Sequence, residues 1–100
     1  SAQIRVRVVA ARNRQIERQG MPNARLDGAA LDAAAPLSAE LTEFLNNAAE
    51  KMGMSARGYN RIKRIARTIA DLRGAENIEM PDLAEALSYR PINRGKYGVR

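Results

Sequence analysis

Apolar positions in this chain recur mostly at intervals of three and four, the spacing that gathers side chains on one face of an α-helix. The clearest series is Leu41, Phe44, Leu45, Ala48, Ala49 and Met52, with Ser38 placed as an N-cap, Glu40 in the first turn, Lys51 in the last and Gly53 as the stop. Ser55 caps a longer helix running to about Arg73, in which Ile62, Ile65, Ala66, Ile69 and Leu72 form the apolar stripe, and Gly74 ends it. After a short extended piece from Asn77 to Glu79, Pro81 marks the first position of a last helix, with Leu83, Ala84 and Leu87 inward and an end near Arg90 and Pro91.

The amino-terminal segment carries two periods at once. Ile4, Val6 and Val8 alternate with Arg5 and Arg7 as a strand would, whereas Ile4, Val8, Ala11 and Gln15 follow helical spacing. The alternation stops after Val8 and the residues that follow favour helix, so the pattern predicts a helix over residues 2–19, ended by Gly20, Met21 and Pro22. Asp27 can cap a short helix over residues 28–34, stopped by Pro36. The expected fold is all-α: a small bundle of about four to five helices in one domain over residues 1–90, with residues 91–100 as a flexible tail.

Length and composition narrow the function classes. One hundred residues make one small domain with a single core. The chain has no Cys and no His, so a disulfide framework, a Cys/His zinc site, a thiol nucleophile and a Ser-His-Asp triad are all excluded, and no metal site is expected. No run approaches the roughly 18 apolar residues of a membrane span, and no signal-peptide core is present; the reading is a cytoplasmic protein without a membrane partner. Ser1 stands where a Met would begin a complete chain, inside an already patterned segment, so the chain reads as a fragment of a longer protein.

The formal net charge of +6 suggests a nucleic-acid or phosphate partner until its distribution is considered. Residues 1–25 hold six Arg against Glu17, and residues 26–54 hold five acids against Lys51. Residues 55–75 hold six bases against Asp71, and residues 76–90 hold four acids against Arg90. Alternating blocks of this kind suit helices that complement one another, within a domain or across a subunit contact, better than a nucleic-acid tail.

Gly53 and Gly58 match the first half of a phosphate-loop pattern, but Tyr59 and Asn60 stand where Lys and Ser or Thr are required, and a helix precedes them. A helix-to-helix turn explains both glycines. Asp27, Asp32, Glu40, Glu43 and Glu50 fall where caps and exposed faces need acids, without metal-ligand spacing. Three Tyr and one Phe are too few for a base-stacking platform.

Arg57 breaks a local rule: it is a cation in the first turn of a helix, where the dipole favours an anion. The same place, with free N–H groups and a forked guanidinium, suits a phosphate. Arg57 is the candidate phosphate contact, against the plain alternative of a solvated Arg paired with a neighbouring acid. Arg61, Arg64 and Arg67 extend the basic face and support the alternative reading, an autonomous helical nucleic-acid-binding module using the 55–73 helix.

The stretch from Ser55 to Leu72, reading SARGYNRIKRIARTIADL, then Ile78 and LAEALSYR from Leu83 to Arg90, closely resembles the C-terminal domain of magnesium-chelatase-like AAA+ ATPases of the ComM (YifB-type) family. RVRVVAARNRQ from Arg5 to Gln15, with Arg18 and Asn23 beyond, looks like the segment leading into that domain, so the resemblance covers residues 4–90. It departs at Asn60, where the family often has His, and at Met80 and Pro81, where a Ser or Thr cap is frequent. The resemblance implies a helical lid beside an upstream α/β ATPase core, with neighbouring subunits in a hexameric ring and DNA as a partner of the longer protein. It implies ATP with Mg2+ as the cofactor of that longer ATPase, while this fragment, lacking the phosphate loop, would bind none tightly and would not itself be an enzyme. The resemblance further implies that Arg57 corresponds to the sensor-2 arginine, the residue that meets the γ-phosphate, and that Arg57 and Arg61 are the candidate nucleotide contacts. The Arg7, Arg14 and Arg18 side of the first helix is expected to face the core or a neighbour.

Overall fold

The computed structural model of the chain describes residues 2–89. Five α-helices follow in order: α1 (Ala2–Gln19), α2 (Gly28–Ala34), α3 (Ala39–Met52), α4 (Ala56–Leu72) and α5 (Met80–Ser88), with a 3-10 turn at Asn23–Arg25 between α1 and α2. This is the all-α bundle the periodicity predicts. The tail expected over residues 91–100 lies outside the described residues.

The caps explain the boundaries. Asp27 accepts a hydrogen bond from the Gly28 N–H, Ser38 from the Leu41 N–H and Ser55 from the Gly58 N–H, each satisfying a donor that a helix start leaves unpaired. Gly53 closes α3 in the left-handed region at φ 64, where a side chain would be strained, and the turn it makes delivers the chain directly to the α4 cap.

α4 is the spine. It packs against α1, the 3-10 turn, α2 and α5, while α3 reaches the core through α5. The core gathers Leu26, Leu31, Leu41, Leu45, Ile62, Ala66, Ala70, Ile78, Leu83 and Ala86, and the small Ala66 and Ala70 let neighbouring elements come close to α4. Packing on several sides explains where the predicted stripe of α4 departs from the observed one. Ile62 and Ala66 are buried, but Ile65 and Ile69 are half-buried and Leu72 is exposed, and the buried surface turns instead to include Lys63, Arg67, Ala70 and Asp71.

Two smaller corrections concern the ends of the chain. In α5 the inward residues are Leu83, Ala86 and Leu87, with Ala84 exposed, and Pro81 is the second helical residue because Glu79 flanks a helix that starts at Met80. In α1 only Ala11 and Gln15 are buried; Ile4 and Val8 continue the same stripe but are 56% and 50% exposed.

Candidate functional site

The start of α4 is built to present an anion-binding corner. Ser55 uses its hydroxyl oxygen on the Gly58 N–H and its carbonyl on the Tyr59 N–H, which leaves the first two N–H groups of the helix, at Ala56 and Arg57, pointing out of the helix end. Arg57 is exposed there, and among the described residues no ion pair or hydrogen bond holds its guanidinium. The corner is anchored from one side: the Tyr59 hydroxyl donates to Asn46 Oδ1 of α3 at 2.7 Å. Burial, with the charge of Asp32 second, pushes the Tyr59 phenol above its ordinary value, so it keeps its proton and its role as donor.

Along the helix the other expected basic residues separate. Arg61 is exposed, one turn from Arg57, and lines an open groove of about 380 Å³ with Ala24, Arg64, Ile65, Thr68 and Ile69. Arg64 is half-buried and its guanidinium donates to the Leu26 carbonyl at 3.1 Å, tying α4 to the loop before α2. Lys63 holds Asp32 at 2.7 Å. Arg67, expected on the basic face, is 2% exposed and turned into the domain. The face available to an outside anion is therefore Arg57 and Arg61, with part of Arg64.

Arg67 belongs to a buried polar cluster that the sequence reading did not assemble. Its guanidinium meets Asp71 Oδ1 at 3.0 Å and donates to the carbonyls of Ala75 and Glu76 at 3.0 and 2.9 Å. Asp71 is fully buried and also receives Arg18 on both carboxylate oxygens, at 3.0 and 3.1 Å, and the Asn23 amide at 2.8 Å. Asn23 in turn donates to the Thr68 hydroxyl, accepts from Arg18 and Gln19, and gives its backbone N–H to Gln15. Arg14 reaches the Asp71 carbonyl at 3.1 Å. A buried carboxylate between two guanidiniums and an amide has its charge compensated and its lone pairs filled. Burial, ahead of the opposing pull of Asp71, pushes the Arg67 guanidinium below its ordinary value, and its Nε is the one buried side-chain polar atom without a partner among the described residues.

The same cluster engages two of the α1 arginines expected to face the core or a neighbour, and both keep exposed surface. Arg14 and Arg18 face α4 of their own domain, because Asp71 and its carbonyl stand opposite them. The signal was present in the chain: Arg18, Asn23, Arg67, Thr68 and Asp71 all lie within the stretches that carry the family resemblance.

A second pair fixes the junction of α4 and α5. Arg73 grips Asp82 with two nitrogens, at 3.0 and 2.6 Å, and the Glu79 N–H donates to the same carboxylate at 2.9 Å. Burial alone would raise the Asp82 carboxyl, but the hydrogen bonds from Arg73 and the Glu79 N–H, together with the Arg73 charge, hold it below its ordinary value. The described residues contain no group of three or more His, Cys, Asp or Glu that could hold a metal ion, and no helix long and apolar enough to cross a membrane.

Comparison with known proteins places these features. Residues 1–90 match the family described as magnesium chelatase, subunit ChlI C-terminal. The competence protein ComM of Haemophilus influenzae is 44% identical over 94 residues, which is 94% of this chain and 18% of that protein. The YifB proteins of Salmonella typhimurium and Escherichia coli are each 39% identical over 94 residues, again 94% of this chain and 19% of theirs. The chain thus spans about a fifth of the length of the curated relatives it matches.

Proposed function

Since this chain belongs to the magnesium chelatase ChlI C-terminal family, we propose that it is the helical lid of a ring-forming AAA+ ATPase, in which Arg57 senses the nucleotide's terminal phosphate. The observation that carries this reading is the state of Arg57: a guanidinium at the open start of α4, beside two undirected backbone N–H groups, with no internal partner among the described residues. A cation in that position opposes the helix dipole and is unfavourable until an anion arrives. An incoming phosphoryl group would meet both the N–H groups and the guanidinium fork, the donors that best complement spread negative charge.

The residues present fit one edge of a nucleotide and no more. ATP with Mg2+ would supply the transferable phosphoryl group, and the upstream core of the longer protein would hold it. Arg57, with Arg61 one turn further along, would neutralise charge on the terminal phosphate oxygens. Because α4 is the spine, a pull on Arg57 moves α1, α2 and α5 with it, so the lid follows the state of the nucleotide as a rigid body. Work on DNA by the whole assembly belongs to the same proposal and rests on the family resemblance alone.

Arg57→Ala in the longer ATPase tests the assignment. ATP turnover at saturating nucleotide should fall by about two to three orders of magnitude, the scale for removing one transition-state donor, with the fold intact by circular dichroism. Turnover equal to the parent enzyme would remove Arg57 from the mechanism.

A further inference from the structure

We propose that Tyr59 is a positioning residue: by holding α3 through Asn46, its hydroxyl fixes the first turn of α4 and so the place from which Arg57 reaches a phosphate. The proposal deepens the nucleotide reading of Arg57 and rests on it. It begins with the residues of that turn. As helix formers, Gly58, Tyr59 and Asn60 rank below the Arg, Lys and Ala residues that recur along the rest of α4. The segment carrying Arg57 is thus the one least able to hold its own shape, and a helix end frays unless something holds it.

Two holds are present. Ser55 accepts from the Gly58 N–H at 3.1 Å within the turn itself. Tyr59 supplies the other: its half-buried ring packs on the core, and its hydroxyl donates to Asn46 Oδ1 at 2.7 Å. Among the described residues this is the only side-chain hydrogen bond or ion pair that joins α3 to another element. Gly53 turns the chain from α3 into α4, and Asn46 and Tyr59 meet across that corner, so their bond braces the angle between the two helices. Tyr59 and Arg57 are two residues apart, about 200° around the helix, which leaves Arg57 on the opposite, exposed side. Without the hydroxyl the ring would still fill its place, but the first turn would be free to lean away from α3 and carry the guanidinium with it. A misplacement on the order of 1 Å at a reacting centre is enough to slow a reaction severely.

Tyr59→Phe tests this, and Asn46→Ala removes the acceptor from the other side at an exposed position, so that a folding defect in one variant does not decide the result. In this chain, either change should speed amide hydrogen exchange at Gly58 and Tyr59 by about two- to tenfold, the worth of one net hydrogen bond, and leave Ala66 and Ala70 unchanged. In the longer ATPase, either should lower kcat by about tenfold with KM for ATP little altered, and Asn46→Asp, which keeps an acceptor oxygen, should match the parent. Added to Arg57→Ala, Tyr59→Phe should cause no further loss, a result that a general weakening of the fold would not reproduce. Parent-like turnover of Tyr59→Phe where Arg57→Ala is impaired would overturn the proposal and leave the nucleotide reading standing. So would an equal loss from Tyr59→Phe with and without Arg57, or exchange that quickens throughout α4. Parent-like turnover of Arg57→Ala would instead remove the nucleotide reading, and this role with it.

Discussion

Arg57 and Arg67 lie ten residues apart on α4, and their surroundings are opposite. Arg67 is 2% exposed, bound to Asp71 and to the carbonyls of Ala75 and Glu76; Arg57 is exposed and held by nothing internal among the described residues. The sequence offers the same residue type on the same helix in both places. What separates them is whether an acid and orphan carbonyls wait where the side chain lands. At the carboxyl-terminal half of α4 they do, and the arginine serves the fold; at the amino-terminal end they do not, and the arginine remains available to a ligand. Labour is thus divided along one helix.

The strongest way to break the comparison is at Asp71. Asp71→Ala leaves Arg67 buried without its counter-ion, which should cost about 3–5 kcal/mol and lower the thermal midpoint by on the order of 15 °C. A loss under about 1 kcal/mol in urea unfolding would mean that the cluster is incidental to the fold. Asn23→Ala should cost less, about 1–3 kcal/mol, because it removes one amide that bridges Asp71, Thr68 and Arg18 while leaving the ions in place. Double-mutant analysis with Thr68→Val should then show coupling, since both changes act on one network.

Asp82 sharpens the picture through pH. Its carboxyl is held below the ordinary value in the folded state, so the contribution it makes is present above the unfolded value of about 3.9 and is lost as pH falls through the lower, folded value. Urea midpoints should therefore drop in the acid range, and Asp82→Asn should flatten that drop while lowering stability at neutral pH. An acid limb identical in the variant and the parent would show that the junction of α4 and α5 does not depend on this pair.

Much of the fold was legible in the chain. The caps at Asp27, Ser38 and Ser55 act locally, so their positions alone set the starts of α2, α3 and α4. The burial of Arg67 was not legible, because the helical pattern places it beside Arg64 and nothing local says that Asp71, Arg18 and Asn23 will meet there. That meeting joins residues far apart in sequence and is decided by the docking of α1. The same docking brings Arg14 and Arg18, both still exposed, onto Asp71, a contact that no local pattern announces. Ala84 and Ala86 differ only in which one the packing of α5 selects, and short alanine-rich helices carry little periodic signal to decide it. The exposed state of Arg57 was legible for the opposite reason: a cation in the first turn of a helix has no local reason to be there.

The smallest expected effect is also the most telling one. Urea unfolding of this chain with Arg57→Ala should show stability unchanged or raised by about 0.3–1 kcal/mol, because removing a cation from the positive end of α4 relieves an unfavourable dipole contact that no internal partner offsets. A loss of about 2 kcal/mol or more would mean that Arg57, like Arg67, is committed to holding the domain together, and the division of labour along α4 would not stand.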